Sequence, residues 1–402
     1  MPLVTQTFNH KTLMRIAIVI AFVQFTNALE YMALTPVFAF MAEGFSVPVS
    51  FSGYVSGMYT LGAVLSGIVA FYCIDLFNKK QFLFTNMVLL GALTFLSTLT
   101  THFDILLALR FCAGAVGGTT MGVGMSILIN YAPANLRGKM LATVIASFSL
   151  VSIVGMPAIL FLCTHYGWHT APGLISSLCL LSLPLIIFII PKDTAPSGVK
   201  RNLSIDAQTL LFASCTALVQ FSPMLIIPIL APLMTQYMGA QQNLLPLLFL
   251  SGGIAGYLST KITGMLTSRL SALMLATIST LFLVASLLIP AMGYHNVFLF
   301  ITLFLGASYS RLVCASSVAV QYPEDEQRAS FTSLQTAMMY LITTLAFFLS
   351  SLLLPDQGIT TQNLNRLLVV SALAASVFPV MVIILQKKLA KRTIPADHFI
   401  ID

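Results

Sequence analysis

Long apolar stretches recur along this chain, each about twenty residues or more, parted by short polar breaks. They cover residues 13–40, 51–73, 82–100, 105–131, 141–164, 170–191, 207–237, 245–266, 272–292, 297–320, 331–354 and 367–386. Read as helices rising 1.5 Å per residue, all twelve are long enough for roughly 30 Å of hydrocarbon. The first run is longer than the apolar segment of a signal peptide, and no small-residue cleavage site follows it. It is expected to be a retained span.

Composition explains why the pattern is so continuous. Of the 402 residues 58% are hydrophobic and only 8% charged, with a mean hydropathy of +0.95. A soluble domain carries about 25% charged residues. The expected class is an all-α integral membrane protein with a lipid bilayer as its solvent. The net charge of +7 then reports topology. With the N-terminus in the cytoplasm, fifteen of the nineteen Lys and Arg residues fall in inner segments and only Arg366 in an outer loop. This follows the positive-inside rule and puts both termini in the cytoplasm. The basic residues are spread over seven inner segments, so no nucleic-acid partner is expected. The six cysteines (73, 112, 163, 179, 215 and 314) lie within or at the ends of spans and are read as buried thiols, not disulfides.

The stretch PKDTAPSGVKRNLSID (191–206) is the long polar segment inside the chain, and it divides the spans six and six. VQFT (23–26) and VQFS (219–222) are 196 residues apart, and at that offset Pro36 falls on Pro232. The expected organisation is an N-terminal six-helix half (1–191), a cytoplasmic linker (192–206), a C-terminal six-helix half (207–390) and a cytoplasmic tail (391–402), the halves related by pseudo-symmetry.

Two parallel repeats of this kind characterise the major facilitator superfamily, and local motifs add to the resemblance. FYCIDLFNKK (71–80) is similar to the family signature between helices 2 and 3: Asp75, Lys79 and Lys80 match, while Phe71, Leu76 and Asn78 depart from it. RFCAGAVGG (110–118) resembles the helix 4 motif. SIVGMPAILF (152–161) resembles the antiporter motif of helix 5 in Pro157 and Ser152, with Met156, Leu160 and Phe161 in place of glycines. The chain is thus most similar to the twelve-helix bacterial drug:proton antiporters. The resemblance implies a conformational role for Asp75, Lys79, Lys80, Gly114, Gly118 and Pro157, and a central cavity lined by helices 1, 4, 7 and 10. It also implies an inner, or plasma, membrane location and proton coupling that involves the helix 4 arginine.

Glu30 lies in the first apolar run, where a carboxylate costs about 2.5–3.5 kcal/mol even on insertion scales. At 100° per residue Gln24, Asn27, Glu30, Tyr31 and Leu34 share an arc of roughly 120°, opposite Ile18, Phe22, Phe25 and Ala33. That polar stripe is expected to face the cavity. Arg110 lies at a similar depth, so Glu30 and Arg110 are expected to meet across the cavity and to carry proton coupling. A permanent ion pair that only joins helices is the alternative. Gly114, Gly118 and Gly122 recur at four-residue steps and allow close helix approach.

Arg311 finds no acid at its depth in the second half, since Ile226 stands at the repeat position of Glu30. It is expected either to meet an anionic substrate or Glu30, or to bind backbone carbonyls. Gln220 repeats Gln24 and is a cavity candidate; for Tyr309 and Gln335 the readings are ordinary packing first and the cavity lining second. His165 and His169 flank Trp168 in an outer loop and read as an interfacial belt.

The sequence shows no phosphate loop, metal cluster or nucleophile elbow, so neither an enzyme, a cofactor nor ATP drive is expected. The expected function is secondary active transport by alternating access, with proton-coupled efflux of a small organic compound by a monomer. The alternatives are movement of an anionic metabolite, such as a carboxylate-type siderophore, and a non-transporting sensor with this fold.

Overall fold

Inside an apolar segment of this length the backbone can satisfy its N–H and C=O groups only within the segment, and helix is the outcome. A computed structural model of the chain describes residues 9–73, 77–191, 206–323, 328–354 and 360–393, and among them there is no strand. The helices are α1 (His10–Met41), α2 (Ser52–Cys73), α3 (Lys79–Leu99) and α4 (Phe103–Tyr131). In α5, Ala134–Leu150 and Met156–Tyr166 are joined through a π turn at Val151–Gly155. Then come α6 (Thr170–Ile189), α7 (Ala207–Tyr237), α8 (Leu245–Leu266), α9 (Ala272–Ala291), α10 (Val297–Ala319), α11 (Arg328–Leu353) and α12 (Thr361–Thr393). Each of the twelve contains a stretch long and apolar enough to cross a membrane.

Polar residues at the breaks start several helices. Asn78, Asp206 and Asn296 accept from the backbone N–H three residues on, at 3.0, 2.7 and 3.1 Å, which satisfies a donor that the first turn leaves free. Prolines mark the irregular places. Pro157 has no N–H, and the π turn of α5 lies just before it. In α7, Pro223, Pro228 and Pro232 accompany a 3-10 turn at Ile227–Ile229 and a π turn at Leu233–Tyr237.

Packing repeats. In the first six helices α1 lies against α4, α5 and α6, α2 against α4, and α3 against α4 and α6. In the last six α7 lies against α10, α11 and α12, α8 against α10, and α9 against α10 and α12. Raising these labels by six gives the second set, which is the two-fold pseudo-symmetry; α1 also packs on α2, a contact without an equally extensive counterpart in the last six. The main contacts between the halves, α2 with α11 and α5 with α8, obey the same relation.

These interfaces close the side of the molecule that carries the α1–α2 loop. Ser351 Oγ donates to the Ser50 carbonyl at 2.6 Å, and the Thr344 and Thr60 hydroxyls bond at 2.8 Å. Ser52 Oγ donates to the Pro228 carbonyl at 2.6 Å, an acceptor to which Pro232 has no N–H to give. A Cβ at Gly53 or Gly57 would overlap Phe347 or Phe348 of α11, and one at Gly253 would overlap the Ser152 backbone of α5. Small residues let the backbones meet where no hydrophobic effect drives helices together. At about 1.5 Å per residue, Thr60 lies roughly 12 Å along α2 from its loop end, so this seal spans the α1–α2 loop third of the bundle.

Candidate functional site

Below that seal, between the halves, lies a cavity of about 640 Å3 counting its open mouth. From the first half α1 lines it with Tyr31, Met32, Thr35 and Pro36, and α5 with Ser152 and Met156. From the second half come Met224, Ile227 and Leu230 of α7, Phe249 of α8, Leu305 and Tyr309 of α10, and Phe347 of α11. The irregular turns of α5 and α7 therefore both sit on the cavity wall. Ser152, inside the π turn, bonds the Tyr309 hydroxyl at 2.9 Å across the two halves. Among the described residues the lining carries hydroxyls, aromatic rings and thioethers, and no charged side chain.

The membrane charges lie inside the halves. Glu30 of α1 is fully buried at 0% exposure and forms an ion pair with Arg110 of α4, itself 2% exposed. The Arg110 guanidinium carbon stands 4.6 Å from the centre of the Tyr59 ring, a cation–π contact. The polar stripe of α1 continues along the same interface: Asn27 Nδ2 donates to the Gly117 carbonyl at 3.2 Å and Gln24 Nε2 to the Thr120 carbonyl at 3.0 Å. The three polar residues at successive turns of α1 thus zip to α4.

This corrects two expectations. Glu30 and Arg110 do meet, but within the first half and not across the cavity. Gln24 and Asn27 face α4, not the cavity, because the freely rotating amides find fixed backbone acceptors there. Of the expected lining residues, Tyr31 and Tyr309 line the cavity. Gln220 is half-buried and stands outside the lining, as does Gln335.

Arg311 is 1% exposed and does not reach the cavity or Glu30. Its Nη2 donates to the Ala375 carbonyl of α12 at 3.1 Å, and its guanidinium stands 5.4 Å from the Phe378 ring. Pro379 explains the acceptor: four residues after Ala375, it has no N–H to offer that carbonyl. The carbonyl-bound reading of Arg311 is the one the geometry gives, and the signal for it was Pro379.

The motif residues distribute as follows. Asp75 lies outside the described residues. Lys79 is buried at the start of α3, and Lys80 Nζ donates to the Ile187 carbonyl at 2.7 Å and to that of Ile190, at the end of α6. Gly114 and Gly118 lie so close to Tyr59 and Ala63 of α2 that a Cβ would overlap them, whereas one at Gly122 would meet nothing. His165 bonds within its own helix end, and His169 stacks on Trp168 at 3.6 Å.

Two functional candidates were not picked out from the sequence. Tyr59 is an unremarked aromatic of α2 whose only signal is its place between Gly57 and Gly62. Ser152 was noted for the motif it resembles, and its role on the cavity wall comes from the π turn.

The comparisons agree with this architecture. Residues 20–211 match the Major Facilitator Superfamily. The niacin transporter NiaP of Acinetobacter baylyi is 28% identical over 193 residues, 48% of this chain and 40% of that protein. The 4-hydroxybenzoate transporter PcaK of the same organism is 25% identical over 178 residues, 44% of this chain and 39% of its own length. The match therefore spans about two fifths of these relatives. In structure, a bacterial homologue of the human lysosomal transporter Spinster, solved inward-facing and unoccupied, superposes with a TM-score of 0.72 at 14% identity. That superposition covers 97% of this chain and 100% of the other. Over residues 20–211 the chain is similar to the Major Facilitator Superfamily, nearly its whole length shares the fold of that solved transporter, and its twelve long apolar helices make it a multi-pass membrane protein.

Proposed function

We propose that the protein is a secondary active transporter that moves a small organic compound by alternating access, driven by protons through Glu30 and Arg110. The observation that carries the reading is the Glu30–Arg110 pair, held inside one half next to a cavity shared by both. A lone structural ion pair at this depth contributes little net stability. A carboxylate that can exchange its proton for an arginine contact gives a two-state element whose balance depends on the proton gradient. With the sparsely basic, sealed side taken as the outside, the cavity opens toward the cytoplasm and cargo enters from within. Asp75, Lys79 and Lys80 belong to the inner gate in this reading.

Efflux is the direction favoured by the motifs around Arg110 and Pro157, which resemble those of drug:proton antiporters. The niacin and 4-hydroxybenzoate relatives support cargo of small aromatic size, which fits a wall of Tyr31, Tyr309, Phe249 and Phe347. The anionic-metabolite reading keeps the support of those two relatives, whose named cargoes are aromatic carboxylates, and loses Arg311, which is buried outside the described cavity lining. The test is flux in proteoliposomes under an imposed proton gradient, with neutral aromatic, carboxylate and lipophilic-cation probes. Gradient-driven movement of any probe, lost in Glu30→Gln, supports the reading. Movement that is indifferent to the gradient in the unsubstituted protein sinks it.

A further inference from the structure

The ion pair is sealed from the cavity, so its state needs a mechanical route outward. We infer that Tyr59 is the positioning residue that carries the protonation state of Glu30 to the contact between the halves; this rests on the proton-coupled reading above.

The geometry is a chain of contacts. The Tyr59 ring is 1% exposed and has Arg110 over it. The same ring stacks on Tyr31 at 5.4 Å, and Tyr31 lines the cavity. Tyr31 in turn meets Tyr340 of α11, in the other half, edge-on at 6.2 Å. The residue next to Tyr59, Thr60, bonds Thr344 of α11 at 2.8 Å as part of the seal. Tyr59 is also pinned against α4, since both Gly114 and Gly117 approach it too closely to accept a Cβ. One residue thus touches the charge pair, the cavity wall and the helix that closes the gate.

Its response to a proton follows from electrostatics. While Glu30 is ionised, its charge balances Arg110. Once Glu30 is neutral, the guanidinium is an uncompensated cation in a low-dielectric interior. It still faces the negative face of the Tyr59 ring, and the Asn27 Oδ1 acceptor, one turn away on α1, has no partner. The pull on the ring increases, and a tightly packed α2–α4 interface passes a ring shift to α2 as a whole. Thr60 and Tyr31 move with it, and the balance between sealed and open gate changes. The ionisable groups around Glu30 are Arg110 of α4, Tyr59 of α2 and, further off, Cys179 of α6; Tyr31 and Tyr340 surround Tyr59.

The experiment uses the full chain in lipid nanodiscs, with native cysteines replaced and spin labels at the exposed positions Gln81 and Ser268 on the basic side of the two halves. Double electron–electron resonance reads the ratio of the two gate states from acid to alkaline pH, and infrared spectroscopy reads carboxyl titration. The unsubstituted protein is expected to change its ratio by at least about fivefold, the lower end of ordinary coupling. Glu30→Gln should abolish both the change and one carboxyl band. Tyr59→Leu should keep the band and abolish the change, whereas Tyr59→Phe, which keeps the ring, should retain both. Thr60→Val tests the same route at its far end if Tyr59→Leu does not fold: the band should stay and the change should shrink. A carboxyl that titrates with an undiminished gate change in Tyr59→Leu, or in Thr60→Val, overturns the role of Tyr59 and leaves proton coupling standing. A gate ratio that ignores pH in the unsubstituted protein overturns both.

Discussion

The two halves share one packing plan and treat buried charge in opposite ways. In the first half a cation and an anion on adjacent helices face each other, Arg110 on α4 and Glu30 on α1. In the second half Arg311 on α10 meets no acid among the described residues and donates instead to a carbonyl that Pro379 leaves free on α12. In the proposed mechanism the acid is what makes the first arrangement switchable by a proton. The second has nothing to titrate near neutral pH, since a guanidinium stays charged and a carbonyl does not ionise. In the proposed mechanism the repeated packing supplies two halves, and the acid of the first is the group that responds to protons. The cavity between them inherits its neutrality from this sequestration.

The comparison breaks most visibly at Glu30. Glu30→Gln should eliminate gradient-driven flux and, by leaving Arg110 uncompensated, lower stability by about 3–5 kcal/mol, measured by thermal unfolding in detergent. Arg311→Met should keep the proton dependence of flux. If it removed that dependence as Glu30→Gln does, the division of labour between the halves would be wrong.

At the seal, Gly57→Val places a side chain against the Phe348 ring of α11, and Gly253→Val does so against the α5 backbone. Each should shift the gate toward opening on the α1–α2 loop side, read as faster labelling of a cysteine introduced at Thr35. Gly122→Ala, facing open space, should be within about 0.5 kcal/mol of neutral and leave labelling unchanged.

A subtler test concerns Pro379. Arg311→Met should cost about 1.5–3 kcal/mol, the worth of a hydrogen bond to a charged group. Pro379→Ala returns an N–H to the Ala375 carbonyl, so the double variant should recover part of that loss. Additive costs in the cycle would mean that the two residues do not share the acceptor. The smallest effect is expected at Gln24→Leu. Loss of its bond to Thr120 should cost about 0.6 kcal/mol, a typical value for hydrogen bonds between membrane helices.

Much of this was legible before any coordinates. Twelve apolar runs, the polar break after residue 191 and the shared VQF spacing dictated a helical membrane protein in two halves, because lipid leaves the backbone no other way to satisfy itself. Charge in the apolar runs marked Glu30, Arg110 and Arg311 as residues that need partners, for the same reason of solvation. The partners themselves depended on tertiary structure. A polar stripe on α1 announces a polar neighbour but does not say whether that neighbour is water in a cavity or a row of α4 carbonyls. Helical periodicity fixes which residues share a face, and only the docking of α1 on α4 fixes what that face meets. Likewise an unpaired arginine and a proline 68 residues apart are independent facts in one dimension. Folding brings α10 beside α12 and turns them into donor and acceptor, leaving the cavity to side chains that carry no charge.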